Sequence, residues 1–152
     1  MINSIGIHIK VADFKKSVSF YQHLGFKKVF EYGPNKSVRE DYSGTVFELN
    51  GTRLEIADGH RAVAPQVFKD KVESAKISLM IGVDSLSSLI KVCKKNNIKI
   101  SKQPIHYYWG TLEMVVKDPD GVVLVFICNY TKSEAKKIKP REVLAVQSPI
   151  QN

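Results

Sequence analysis

Ile5-Gly-Ile-His-Ile-Lys-Val11 alternates aliphatic with other residues, and the same pattern restarts at Ile77-Ser-Leu-Met-Ile-Gly-Val83. Alternation at every second position marks a strand with one buried face. In the first copy Ile5, Ile7, Ile9 and Val11 oppose Gly6, His8 and Lys10. In the second, Ile77, Leu79, Ile81 and Val83 oppose Ser78, Met80 and Gly82. The wholly aliphatic face is expected beneath a helix. The mixed face is expected to look into a cleft.

Each strand is followed by an amphipathic helix pattern. Asp13 suits an N-cap, Phe14, Ser17, Val18, Tyr21 and Leu24 recur at helical spacing, and Gly25 suits a left-handed stop. The second helix is expected from about Asp84, with Leu86, Leu89, Ile90 and Cys93 inward, ending at Asn96-Asn97. Further strands are expected at Lys27–Tyr32, Thr45–Asn50 and Arg53–Ala57, then at Lys99–Ser101, Thr111–Lys117 and Val122–Cys128. Gly51-Thr-Arg-Leu-Glu-Ile56 is echoed by Gly121-Val-Val-Leu-Val-Phe126, and Asn50-Gly51 and Asp120-Gly121 read as tight hairpin turns. A strand–helix–strands unit is therefore repeated. Residues 1–60 form the first βαβββ module, 61–75 a linker with a helical turn around Val67–Val72, 76–130 the second module, and 131–152 a basic C-terminal tail with little core to offer. The fold class is α+β: two modules making an incomplete, mainly antiparallel barrel around a shared cleft, helices outside.

Composition bounds the partners. The 152 residues are 43% hydrophobic and 25% charged, ordinary values for a globular domain. No apolar run approaches the ~20 residues of a membrane span, and the first residues lack a signal-peptide layout. The two cysteines, Cys93 and Cys128, make no disulfide framework, which fits the cytosol. The net charge of +8 is spread along the chain, densest in Lys132-Ser-Glu-Ala-Lys-Lys-Ile-Lys-Pro-Arg141, and no nucleic-acid motif accompanies it. Neither nucleic acid nor membrane is an expected partner. A small ligand steered to so basic a chain is neutral or anionic.

The repeat together with Val11-Ala-Asp-Phe-Lys-Lys-Ser-Val-Ser-Phe-Tyr21, Leu24-Gly-Phe26, Trp109-Gly110, Glu113 and Asp118-Pro-Asp-Gly121 resembles the vicinal oxygen chelate superfamily. That superfamily holds glyoxalase I, bleomycin-resistance proteins, fosfomycin-resistance enzymes and extradiol dioxygenases. The resemblance covers about Ile5 to Asn129 and implies a homodimer. In metal-dependent members it also implies one ligand from each of four strands. Counted from the helix starts and the hairpin glycines, those places here are Gly6, Glu55, Ser78 and Val125. Only Glu55 offers a strong lone-pair donor, so neither metal nor other cofactor is expected.

Several residues are candidates for ligand contact. His8 shares the cleft face; it reads either as a histidine hydrogen-bonded to a carboxylate or as one partner of Glu55, with His106, in a displaced metal or acid–base site. Glu55 reads equally as a neutralising partner of Lys10 or Arg53 and as a pocket carboxylate. Glu113 reads as one half of a structural pair with Arg or Lys. Tyr107, Tyr108 and Trp109 precede a cleft-forming strand and suit stacking on a flat ligand. Phe47, Met80, Met114, Val123 and Val125 give the same cleft an apolar lining, or are ordinary core. The expected ligand-binding set is His8, Lys10, Phe47, Glu55, Met80, Tyr108, Trp109 and Val125, with no residue assigned to catalysis.

The function expected is binding of a small, partly aromatic molecule in a metal-free cleft, in the sequestration or resistance manner of the bleomycin-resistance type. Two alternatives stand beside it. One is a metal-dependent glyoxalase-like lyase or isomerase, or a dioxygenase, using His8 and Glu55. The other is an interaction protein acting through the basic tail.

Overall fold

The structure is a computed structural model that describes residues 6–33, 42–59 and 77–143. The chain divides into two compact units, Met1–Ser74 and Ala75–Asn152. The expected helical turn around Val67–Val72 lies outside the described residues.

In the first unit, β1 (Gly6–Lys10), α1 (Phe14–His23), β2 (Lys28–Tyr32), β3 (Gly44–Leu49) and β4 (Thr52–Ala57) form a βαβββ module. Its sheet is open, with order β1-β4-β3-β2, and β1 runs parallel to β4 while the other two pairings are antiparallel. Asp13 caps α1 by accepting from the Lys16 N–H, and Gly25 follows the helix at φ +98°. Asn50 and Gly51 both take positive φ, which closes the β3–β4 hairpin in two residues and sets Leu49 opposite Thr52. Ile9, Val11, Thr45, Phe47, Leu54 and Ile56 form the buried side of this sheet with Ser17 and Tyr21 of α1. Tyr21 packs edge-on to Phe26 at 5.2 Å and tilted against Phe47 at 6.0 Å.

The second unit repeats the plan with β5 (Ser78–Gly82), α2 (Leu86–Lys95), β6 (Ile100–Tyr107), β7 (Thr111–Lys117) and β8 (Val123–Asn129). β5 is parallel to β8, as β1 is to β4. Leu79, Leu112, Met114, Val116, Leu124, Phe126 and Cys128 meet Leu86, Leu89 and Cys93 of α2 in its core. The Asp118–Gly121 turn is longer than the Asn50-Gly51 one. Buried Asp118 organises it, accepting the N–H groups of Asp120 at 2.9 Å and Val122 at 2.8 Å. β6 outruns the expected Lys99–Ser101 strand and carries Pro104 at the register shift between Lys102 and Ile105, where a missing N–H costs no ladder bond.

The segment read as a basic tail starts with structure of its own. α3 (Lys132–Ile138) and β9 (Arg141–Val143) belong to the second unit, and β9 adds a parallel edge strand to β6. A buried carboxylate holds the helix. Glu134 accepts from Ser85 Oγ at 2.9 Å, from the Ser87 N–H, and from Ser87 Oγ at 3.1 Å, all at the start of α2. A carboxylate there satisfies free N–H groups and meets the positive end of the helix dipole. No helix among the described residues is long and apolar enough to cross a membrane.

Burial by itself raises the Glu134 pKa, but the Ser87 N–H, the Ser85 and Ser87 hydroxyls and Lys137 outweigh it and hold the group below its ordinary value of 4.5. A folded pKa below the unfolded one stabilises the protein above about pH 4.5, and the gain is lost as pH falls through the lowered value. Glu134→Ala is expected to cost roughly 2–3 kcal/mol at pH 7. In urea unfolding across pH 3–6, the margin of wild type over Glu134→Gln should shrink towards the acid end; a constant margin contradicts the assignment.

Candidate functional site

Strand parity decides which side chains can meet a ligand. In the first unit, pairing sets His8 beside Glu55, Gly6 beside Arg53 and Lys10 beside Ala57. Val46 lies opposite Glu55, Gly44 opposite Ala57, Phe30 opposite Val46 and Tyr32 opposite Gly44. These residues share the sheet face away from α1. Tyr32 donates its hydroxyl to Glu55 Oε1, and its ring lies 6.1 Å from that of Phe30, which is 59% exposed. The Tyr32 ring reaches Glu55 by crossing Gly44, where a Cβ would sit 2.2 Å from the ring. Arg53 directs its Nε to Glu48 at 3.2 Å, so the Glu55 carboxylate is engaged by a phenol.

In the second unit the corresponding face has an apolar floor. Met80 pairs with Val125 and Val125 with Val115, while Ser78, Val123 and Lys117 form one neighbouring row and Gly82, Ile127 and Glu113 the other. Met80 is 70% exposed, and a Cβ on Gly82 would meet nothing within 4 Å. At one end of this floor the rings of Tyr107 and Trp109 stack at 4.4 Å and 8°, with Tyr108 edge-on to Trp109 at 4.8 Å. Tyr108 and Trp109 are about half exposed. Trp109 Nε1 donates to Glu113 Oε1 at 3.2 Å and Thr111 Oγ1 donates to the same oxygen at 2.7 Å. A carboxylate thereby pins an aromatic stack beside open apolar surface.

Of the residues singled out from sequence, His8, Lys10 and Glu55 share the open face of the first unit, and Met80 and Val125 that of the second, with Trp109 bonded to Glu113 on it. Phe47 does not line this face. The two-residue hairpin sets it opposite Leu54, so it is 1% exposed against Tyr21 and Phe26. Met114 likewise is core. His106 belongs to the second unit, where it pairs opposite Leu112 on the helix side of its own sheet, stacks on Tyr130 at 3.9 Å and bonds Glu142 at 2.7 Å. Glu113 is bound by Trp109 and Thr111 in place of the expected Arg or Lys. Tyr32 was missed, although its alternation with Phe30 in Lys28–Tyr32 carried the signal.

The sequence profile of the Glyoxalase/Bleomycin resistance protein/Dioxygenase superfamily matches residues 2–126. The chain belongs to that superfamily. Solved structures agree on the fold. The fosfomycin resistance protein FosX from Listeria monocytogenes, complexed with Mn(II) and sulfate, is 15% identical with TM-score 0.61, covering 90% of this chain and 100% of its own. A bleomycin resistance determinant encoded on transposon Tn5 is 21% identical with TM-score 0.57, covering 86% and 100%. A bleomycin-binding protein complexed with bleomycin is also 21% identical, with TM-score 0.54, covering 85% and 100%. No curated protein matches the chain.

Some superfamily members hold a divalent metal, and the residues here do not fit one. Gly6 and Val125 carry no donor, Ser78 offers a hydroxyl, and one Glu55 oxygen already accepts from Tyr32. His8 adds a nitrogen beside Glu55, but among the described residues no three His, Cys, Asp or Glu side chains gather in a group that could hold an ion. Two donor side chains leave most of a divalent coordination sphere to water.

Gly44→Ala is expected to force the Tyr32 ring aside and to lower stability by about 1–3 kcal/mol. Tyr32→Phe, which keeps the ring and loses the bond, should cost about 1 kcal/mol. Urea unfolding of both variants checks this; a neutral Gly44→Ala contradicts the placement of the ring.

Proposed function

We propose that this protein binds a small, partly aromatic molecule on the open sheet face of its second unit without a resident metal, sequestering the molecule in the resistance manner. The observation that carries the reading is the Tyr107–Trp109 stack, with Trp109 half exposed and bonded to Glu113 on the same sheet face as the exposed Met80. Aromatic stacking contributes roughly 0.5–1.5 kcal/mol beyond area burial, and an apolar floor adds to it, so such a surface favours flat ligands over small polar ones. Similarity to proteins that bind or resist bleomycin supports the ligand-binding class. The net charge of +8 argues for neutral or anionic ligands and against a cation such as bleomycin itself. The same reading places the protein in the cytosol as a homodimer, with Cys93 and Cys128 as buried thiols.

The neighbouring positions of His8 and Glu55 are what favour an enzyme as the second reading. Glyoxalase-like lyase, isomerase or dioxygenase chemistry on that pair predicts that alanine at either residue abolishes turnover. On the binding reading alanine there only reshapes the face. The tail-mediated reading weakens for a structural reason: truncation after Asn129 removes α3 and β9 from the second unit, so it does not spare the fold.

Trp109 is the only tryptophan, so its indole N–H gives a single resonance that reports the stack. Titration with quinoline, a neutral bicyclic aromatic, should shift that resonance saturably and identically with and without chelator. Trp109→Ala should weaken binding by about tenfold in calorimetry. A resonance that moves only after nickel, zinc, manganese or iron(II) is added overturns the proposal.

A further inference from the structure

The hydrogen bonds around Glu113 are lopsided. Trp109 Nε1–H and the Thr111 hydroxyl both converge on Oε1. A carboxylate offers about four lone-pair positions over two oxygens. Here two donors fill one oxygen, and the second carries neither of them. The residue is only half-buried, at the edge of an exposed aromatic stack. Across the ladder the row continues through Ile127 to Gly82, where a Cβ would meet nothing within 4 Å. Neighbouring strands lie about 4.8 Å apart, so the span from Glu113 to Gly82 is roughly 10 Å, the length of a two-ring planar molecule.

We infer that Glu113 Oε2 is a ligand-recognition group, and that the class bound is a neutral planar heteroaromatic carrying an N–H donor on its edge. The inference rests on the reading that this face binds a small aromatic molecule, and it names the class. Three constraints select it. The Tyr107–Trp109 stack demands a flat π system. Glu113, acceptor-only when ionised, demands a donor and repels an anion placed against it. The chain's charge of +8 supplies no field that gathers cations. Neutral donors satisfy all three. Glu113 also has a positioning role, since the oxygen that fixes the Trp109 indole belongs to the same carboxylate that faces the ligand. Ring orientation and edge recognition are thus coupled through one side chain.

The test compares benzimidazole, which has a ring N–H and is neutral at pH 8, with 1-methylbenzimidazole, which lacks that donor. Both are titrated into the full chain, with the Trp109 indole resonance as readout. Wild type should bind benzimidazole about tenfold or more tightly than its methylated analogue, the discrimination given by a hydrogen bond to a charged acceptor. Glu113→Gln keeps an oxygen for Trp109 and Thr111 and presents an amide NH2 on the ligand side. It should abolish the preference, because each probe retains an acceptor nitrogen for that NH2. Gly82→Leu leaves Glu113 and its bonds alone, and should weaken both probes alike by filling the floor. Equal binding of the two probes to wild type, or a preference that survives Glu113→Gln, overturns the role of Glu113 while leaving aromatic binding in place. If neither probe moves the resonance, the binding reading falls together with the inference.

Discussion

Parallel pairing of the first and last strands in each unit is the constraint on which the rest depends. A strand shows one parity to its helix and the other to the open side, and a one-residue slip would exchange them. The β1–β4 register puts Ile9 and Ile56 under α1 and leaves His8 and Glu55 together on the other face. The β5–β8 register buries Leu79 and Leu124 and leaves Met80 and Val125 open. Chemistry follows from whatever those open positions hold. Here they hold one histidine, one carboxylate, a methionine and a valine. The chain carries the superfamily's sequence pattern, and among the described residues no three His, Cys, Asp or Glu side chains gather in a group that could hold a metal.

What replaces them is built from aromatic rings and carboxylates. In the first unit a tyrosine hydroxyl bonds Glu55; in the second an indole N–H and a threonine hydroxyl bond Glu113. The ring of Tyr32 crosses a glycine to reach its partner, and Trp109 leans on Tyr107 while bonding its own. Each carboxylate orders an aromatic surface. That is useful for holding a flat molecule and poor for holding a divalent ion, whose shell needs three or four donors.

Local chemistry made much of this legible in the sequence. Asp13, Gly25 and Asn50-Gly51 act on their immediate neighbours, so the α1 cap, its stop and the first hairpin could be read directly. Parity of the two first strands was equally plain. Phe47 was harder because Thr45–Asn50 alternates weakly, yet the two-residue turn already contained the answer: Leu49 opposite Thr52 forces Phe47 opposite Leu54. The Tyr32–Glu55 bond joins residues 23 apart and depends on room above Gly44, which no local pattern records. α3 escaped because its lysines look solvated, whereas what holds it is Glu134 reaching back 47 residues to Ser87. The Thr131–Glu134 cap spacing was the local hint of that helix.

The central claim is that this superfamily member works without a resident metal. Metal content of protein purified without chelator, followed by thermal-shift titration with nickel, zinc, manganese and iron(II), tests it most directly. The account predicts far less than one metal per chain and no ion-specific rise in midpoint. Near-stoichiometric metal, or a midpoint that climbs with one ion as binding linkage requires, would contradict it.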